Sequence, residues 1–362
     1  MKQILSYLIW GTLLCVGVTS CTKRTTIVEP AVVTSSADTS LGYIFVSDYC
    51  TGDGTIGNPW VSADSSAGIK AALQALTPTK RVLYFRSGFY FTQGALKIDF
   101  SQDLPNLSNA DWKTAFQRYG IEFLGSNANI YVNNGSALRG GKPGILFDWP
   151  GTDVFYWKFQ GLGFLGNVDA AVAQWGIDEN DFPLNGVDFD ITGNNGYVPA
   201  DYTKGVSPSS AITIYRPLDS HLNLVAVSAT GDGVYLGQAA FCTISGAFSN
   251  SVIPGTNNIY PNSYAMKLTD CMSNNITSAD LEVAYNGIWM DAYTFQNTFS
   301  ALFVANCDSS GAVFNTSTQA AGKNEVISIR NGPTLNGGAV IQHIFAPASD
   351  TTKLSILNYF GG

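Results

Sequence analysis

A four-residue pattern, small–apolar–variable–apolar, recurs through the second half of this chain and limits its fold more than any other feature. It occurs as Gly144-Ile-Leu-Phe147, Gly186-Val-Asp-Phe189, Ala211-Ile-Thr-Ile214, Gly233-Val-Tyr-Leu236, Ala265-Met-Lys-Leu268, Gly287-Ile-Trp-Met290 and Gly311-Ala-Val-Phe314, with Gly338-Ala-Val-Ile341 as a further match. Successive starts are 42, 25, 22, 32, 22, 24 and 27 residues apart. A recurring interval of this size with insertions is the signature of a solenoid, in which one lap of chain stacks on the last. Alternation with period two specifies strand rather than helix. The leucine–asparagine consensus and helical half of leucine-rich repeats are absent, which leaves a parallel β-helix. Second strands follow polar turns at Leu222-Asn-Leu224, Cys242-Thr-Ile244, Asn275-Ile-Thr277, Asn297-Thr-Phe299 and Asn324-Glu-Val326. Asn, Ser, Thr and Gly at these corners accept the left-handed backbone that a sharp corner requires.

Composition follows from the same architecture. Only 13% of residues are charged, because inward positions are apolar and corners are small and polar. The formal charge of -8, with 19 Lys plus Arg, makes the chain a poor phosphate binder and excludes nucleic acid as its expected partner. His221 and His343 are the only histidines, which excludes histidine-rich metal sites and weakens a Ser-His-Asp reading. No Cys-x-x-Cys pair occurs, so a zinc site is not expected either, and Cys50, Cys242, Cys271 and Cys307 fit unpaired buried thiols.

The first 20 residues have the form of a signal peptide: Lys2 supplies a positive start, and Ile4 to Val18 form an apolar core too short to span a bilayer comfortably. The segment ends in Val18-Thr19-Ser20-Cys21, which resembles the lipobox of bacterial lipoproteins. That resemblance implies acylation of Cys21 and a protein exported and anchored by lipid to the cell envelope, on the periplasmic side or the cell surface. Residues 21–40, rich in Thr, Ser and Val, suit a flexible tether.

Residues 41–142 are expected to form an N-terminal cap and the first strands, 143–345 the β-helix coils, and 346–362 a C-terminal cap. In Ala67 to Leu76, apolar Ile69, Ala72, Leu73 and Leu76 fall on one face of a short helix. The stretch from Gly52 to Asp99, with GDGTIGNPW, AGIKAALQAL and then RVLYFRSGFYFT, resembles the entrance of pectate-lyase-like right-handed parallel β-helix proteins. It departs from them in lacking a paired Asp after the turn and in having Arg86-Ser87 where proline is usual. The resemblance implies an all-β, single-stranded right-handed solenoid with a short capping helix. It specifies the fold well and an activity poorly, since this fold carries lyases, hydrolases and tailspike domains.

If the second and fourth positions of each pattern point inward, the third and fifth share an outward face. The third positions are Leu146, Asp188, Thr213, Tyr235, Lys267, Trp289 and Val313, and the fifth include Asp148, Asp190, Tyr215, Thr269 and Asp291. Tyr215, Tyr235 and Trp289 offer rings on which sugars stack, with Arg216 placed to orient an acidic sugar. Such a groove suits cleavage of a polysaccharide by either of two routes. A lyase would use Lys267 or Arg216 as base, with Asp188, Asp190 or Asp291 holding calcium. A hydrolase would use a carboxylate pair, Asp291 with Glu282 or Asp188 with Asp190. A non-catalytic glycan-binding or structural envelope lipoprotein is the alternative. Three apparent insertions, 167–185, 192–208 and 250–262, are expected to wall the groove.

Overall fold

The inward column of the repeat organises the structure. It holds Phe123, Phe159, Leu222, Ile244, Ile276 and Phe299, with the backbones of Phe189 and Val326 at the matching register positions. Phe123, Phe159, Leu222, Ile244, Ile276 and Phe299 are at most 2% exposed. Burial of each such side chain contributes about 1.5–3 kcal/mol. The computed structural model describes residues 42–61, 67–93, 96–133, 145–148, 154–166, 172–174, 184–185, 188–194, 212–229, 233–250, 264–282, 286–290, 294, 296–305, 314–316, 324–331 and 354–360.

These strands form an all-β parallel fold of three sheets, with 14, eight and three strands. The chain visits the sheets in turn. Val234–Gly237 lies in the eight-stranded sheet, Ala240 bridges to its neighbours, and Thr243–Asn250 lies in the 14-stranded sheet. The next lap repeats the order with Tyr264–Thr269, Met272 and Asn275–Glu282. Each strand pairs in parallel with its counterpart one lap away. Parallel pairing at long sequence separation works here because both neighbours of a lap present the same alternation, so register slippage would turn apolar residues outward.

Corners between the sheets are left-handed. Arg216, Gln238 and Asp270 have φ of 56°, 55° and 53°, and three residues later Asp219, Phe241 and Ser273 have φ of 49°, 57° and 55°; Gln296, with φ of 57°, stands at the second corner of the next lap. Two residues fit between the two bends, which is why the third sheet has strands as short as Pro217–Leu218. Inside the second corner Ser220, Cys242, Asn274 and Asn297 are buried. Asn274 accepts from the Cys242 N–H at 3.0 Å and donates to the Ala239 carbonyl at 2.9 Å and to Asn297 Oδ1 at 2.8 Å. Asn297 donates in turn to the Cys271 carbonyl at 3.0 Å. The ladder satisfies backbone groups that the bend removes from the sheets.

At the N-terminal end, the helix α1 (Ala67–Gln74) is two residues shorter than expected. Leu76 still buries, together with Ile69, Ala72 and Leu73, in the common core. Two further helices, α2 (Phe100–Asp103) and α3 (Ala110–Arg118), are capped by Asp99 and Asn109. A cluster of rings lies beneath them: Phe123 and Phe159 stack at 4.5 Å, and Phe100 meets Trp157 edge-on at 4.4 Å. Trp157 donates its indole N–H to the Phe116 carbonyl at 3.0 Å, tying α3 to the first laps.

Two expectations about the repeat need correction. The strand Asp188–Asn194 lies in the 14-stranded sheet, not beside Ala211-Ile-Thr-Ile214. The eight-stranded sheet instead takes Val172–Gln174 between Ile145–Asp148 and Ile212–Tyr215. The first apparent insertion, 167–185, therefore contains strands Val172–Gln174 and Leu184–Asn185. A four-residue alternation is equally at home in either sheet, so the pattern alone could not say which. In the last matched lap Phe314 is opposite Ile288, and Asn315, not Val313, is opposite Trp289. Val313 and residues 338–341 lie outside the described residues, and Leu354–Phe360 adds a further strand beside Asn324–Asn331.

Substitution Gly246→Ala is expected to destabilise by about 2–4 kcal/mol, because Gly246 has φ of 134° and a Cβ would lie 1.8 Å from the Leu224 carbonyl oxygen. Asn274→Ala is expected to lose about 1–3 kcal/mol by leaving the buried Cys242 N–H unpaired and removing one of two donors from the Ala239 carbonyl, which keeps the Met272 N–H. Urea denaturation midpoints measure both. A variant as stable as the parent would show that the bend or the ladder relaxes freely.

Candidate functional site

Three consecutive strands of the eight-stranded sheet place Tyr235, Lys267 and Trp289 directly opposite one another, with Asn315 next in line. Their sequence neighbours Val234, Leu236, Met266, Leu268, Ile288 and Met290 are buried to 0%. Strand alternation therefore turns Tyr235, Lys267 and Trp289 outward, and each is half-buried among its neighbours.

Tyr264, which opens the strand Tyr264–Thr269, completes the cluster. The Lys267 ammonium lies 5.0 Å from the Tyr264 ring centre, a cation–π contact. The Tyr264 and Trp289 rings are 6.5 Å apart at 60°. Sequence reasoning missed Tyr264 because it stands outside the small–apolar–variable–apolar pattern. Ala265 and Met266 are both buried, so the alternation breaks there and brings residues 264 and 267 together. Two adjacent apolar residues at the head of a strand were the available signal.

The other candidates are dispersed. Tyr215 ends the neighbouring strand opposite Gly237, and Thr269 is opposite Gly237 on its other side. Arg216 occupies the left-handed corner and donates its backbone N–H to the Gly237 carbonyl at 2.7 Å. Asp188 and Asp190 are on the 14-stranded sheet, in register with Lys158 and Gln160 on one side and His221 and Asn223 on the other. They therefore do not share a sheet with Lys267, and the expected grouping of lysine base and paired aspartates on one face is not formed. Glu282 closes the strand Asn275–Glu282 of the 14-stranded sheet, opposite Ser249 and Ala305. Asp291 and Cys21 lie outside the described residues.

A calcium ion at Asp188 and Asp190 is poorly supported by their register neighbours. Calcium takes 6–8 oxygen ligands, whereas one flanking position holds Lys158, whose ammonium is 3.8 Å from Glu122 Oε1. No group of three or more His, Cys, Asp or Glu able to hold a metal occurs among the described residues.

Cysteine does not supply a nucleophile among the described residues. Cys50, Cys242 and Cys271 form no disulfide among the described residues, and Cys242 and Cys271 are buried. Burial pushes Cys50 and Cys242 up to about 11, so both stay protonated through neutral pH. The Cys242 and Cys271 sulfurs lie 3.3 Å from the Pro217 and Leu236 carbonyls, to which they donate.

No protein-family model matches the sequence, and no curated protein is similar to it. Among solved structures, the chain is similar to ORF18 of Geobacillus virus E2, with a TM-score of 0.44 and 12% identity over 88% of this chain and 61% of that one. It is similar to the Agl-KA catalytic domain with a TM-score of 0.34 and 12% identity, over 91% and 70%. It is also similar to the Streptococcus pneumoniae surface protein and adhesin PfbA with a TM-score of 0.30 and 11% identity, over 88% and 92%. At these scores and identities the likenesses assign neither an activity nor a ligand to this chain.

The thiol environments predict that Cys50, Cys242 and Cys271 of the native protein react slowly with a disulfide reagent at pH 8. For Cys50 and Cys242 the rate should rise at higher pH as the protons leave, and denaturant should release all three at once. Rapid labelling of Cys242 or Cys271 in native buffer would contradict the buried corners.

Proposed function

We propose that this protein is an exported, lipid-anchored right-handed parallel β-helix that binds polysaccharide along its eight-stranded sheet. The observation that carries this reading is the half-exposed row Tyr235, Lys267 and Trp289 on three successive strands, with Tyr264 set against both the ammonium and the indole. Large aromatics outward on a sheet forgo burial, and their faces suit the C–H surfaces of sugar rings. The single cation among them suits a sugar carboxylate or a hydroxyl. Right-handed winding is supported by the strong preference of parallel crossover connections for that hand. Anchoring rests on the resemblance of Val18-Thr19-Ser20-Cys21 to a lipobox.

Cleavage of the bound polysaccharide is the second reading, favoured by the sequence position of Asp291, two residues after Trp289. In a hydrolase Asp291 would act with Glu282, which ends a strand shortly before the one carrying Trp289. In a lyase Lys267 would remove the proton α to a uronate carboxylate, and its contact with Tyr264 would hold the ammonium stem in place.

The test is binding first and turnover second. Trp289→Ala is expected to weaken polysaccharide binding about 10-fold, the loss of one stacking platform, as read by affinity electrophoresis. Lys267→Gln is expected to weaken acidic polysaccharides and leave neutral ones unchanged. Ultraviolet absorbance of unsaturated uronates reports a lyase, and reducing ends without absorbance report a hydrolase. Binding without either product leaves a glycan-binding envelope protein, and unchanged binding in Trp289→Ala would refute this face as the site.

A further inference from the structure

We infer that the 14-stranded sheet carries a second glycan-binding surface, edged by Phe241, that takes an uncharged polysaccharide lying along the stack of laps. The inference rests on the polysaccharide-binding reading above and adds a site on another sheet. Ile244, Ile276 and Phe299 are buried to 0%. Alternation therefore turns their neighbours outward: Thr243 and Ser245, Asn275 and Thr277, Thr298 and Ser300. Thr243, Asn275 and Thr298 are in register, as are Thr277 and Ser300, and Asn223 and Ser245. The column Thr243, Asn275 and Thr298 repeats about every 4.8 Å, whereas the register shifts between Ile244 and Gly246, so the second column is interrupted between Ser245 and Thr277. None of these six side chains is ionisable. Over these three laps a polymer whose units present hydroxyls meets no ionisable neighbour in the row, and His221 and Glu325 stand in register at its two ends.

Phe241 is the second observation and independent of the first. It occupies the corner immediately before Thr243 with φ of 57°, and it is 54% exposed. A left-handed backbone disfavours a bulky side chain, and exposure forgoes the burial of a large ring. The equivalent corners in adjacent laps hold Asp219, Ser273 and Gln296, polar residues that avoid the second penalty. A phenylalanine that bears both penalties at the border of a hydroxyl ladder has the chemistry of a sugar-stacking edge.

The test uses the full chain and affinity electrophoresis through gels containing xylan, mixed-linkage β-glucan or dextran, with polygalacturonate and alginate as acidic comparisons. Phe241→Asn is expected to weaken binding of at least one neutral polysaccharide about fivefold, both in the parent and in the Trp289→Ala background. The same variant should melt a few degrees higher, because asparagine accepts the left-handed corner. A lower melting temperature would mean that the ring serves the fold and would overturn the inference. So would neutral binding that survives Phe241→Asn and is lost in Trp289→Ala, an outcome that leaves the first site standing. Loss of self-association in Phe241→Asn, with glycan binding unchanged, would make this face an interface between copies and equally overturn it. Failure of both variants' parent to bind any of the five polysaccharides would remove the underlying reading and this site with it.

Discussion

Register between successive laps is the constraint on which the rest of this structure depends. Each strand pairs with residues a whole lap away in sequence, so no local hydrogen bond fixes its position. The inward column does so instead. Leu222 lies in register with Ile244, Ile244 with Ile276 and Ile276 with Phe299. A slip by one residue would move every member of that column to solvent and bring Thr243, Asn275 and Thr298 inside. The same registration that buries the core therefore aligns the outward rows, and surface order comes as a consequence of core order.

Corners are the second requirement, because three sheets can enclose a narrow core only if the chain bends sharply between them. The left-handed residues at Arg216, Gln238 and Asp270, then at Asp219, Phe241, Ser273 and Gln296, do this twice per lap. Bending strips backbone groups of sheet partners. The buried side chains of Asn274 and Asn297 replace those partners from inside, and the Cys242 and Cys271 thiols donate to carbonyls of the preceding lap. The chemistry of these two thiols is thereby committed to the fold, which fits the raised pKa of Cys242.

The alternation in Ala211-Ile-Thr-Ile214, Gly233-Val-Tyr-Leu236, Ala265-Met-Lys-Leu268 and Gly287-Ile-Trp-Met290 was legible as a row of strands, and these four do stack in order. The same alternation in Gly186-Val-Asp-Phe189 misled, since it belongs to the other large sheet. Tyr264 was invisible for a related reason. Its proximity to Lys267 depends on two consecutive buried residues, Ala265 and Met266, at a strand entrance, an irregularity that a period-two pattern does not encode. The helix at Ala67–Gln74 was legible because its apolar residues recur at helical spacing, whereas α2 is a single turn and α3 is largely polar, so that their caps, Asp99 and Asn109, were their main signals.

By itself the sequence determined that this chain is built from short parallel strands in repeated laps, with an N-terminal helix and a low charge content that follows from apolar insides and small polar corners. Those properties are local, set by side-chain alternation and by what each corner tolerates. Only the tertiary structure decided which strands share a sheet, and so which outward residues are neighbours. Tyr235, Lys267 and Trp289 became one row and acquired Tyr264, while Asp188 and Asp190 were carried to the sheet of Lys158 and His221. The physical reason is that a strand reports its two faces but not its sheet, and that choice is made by the lengths of the connections and the closing of the common core.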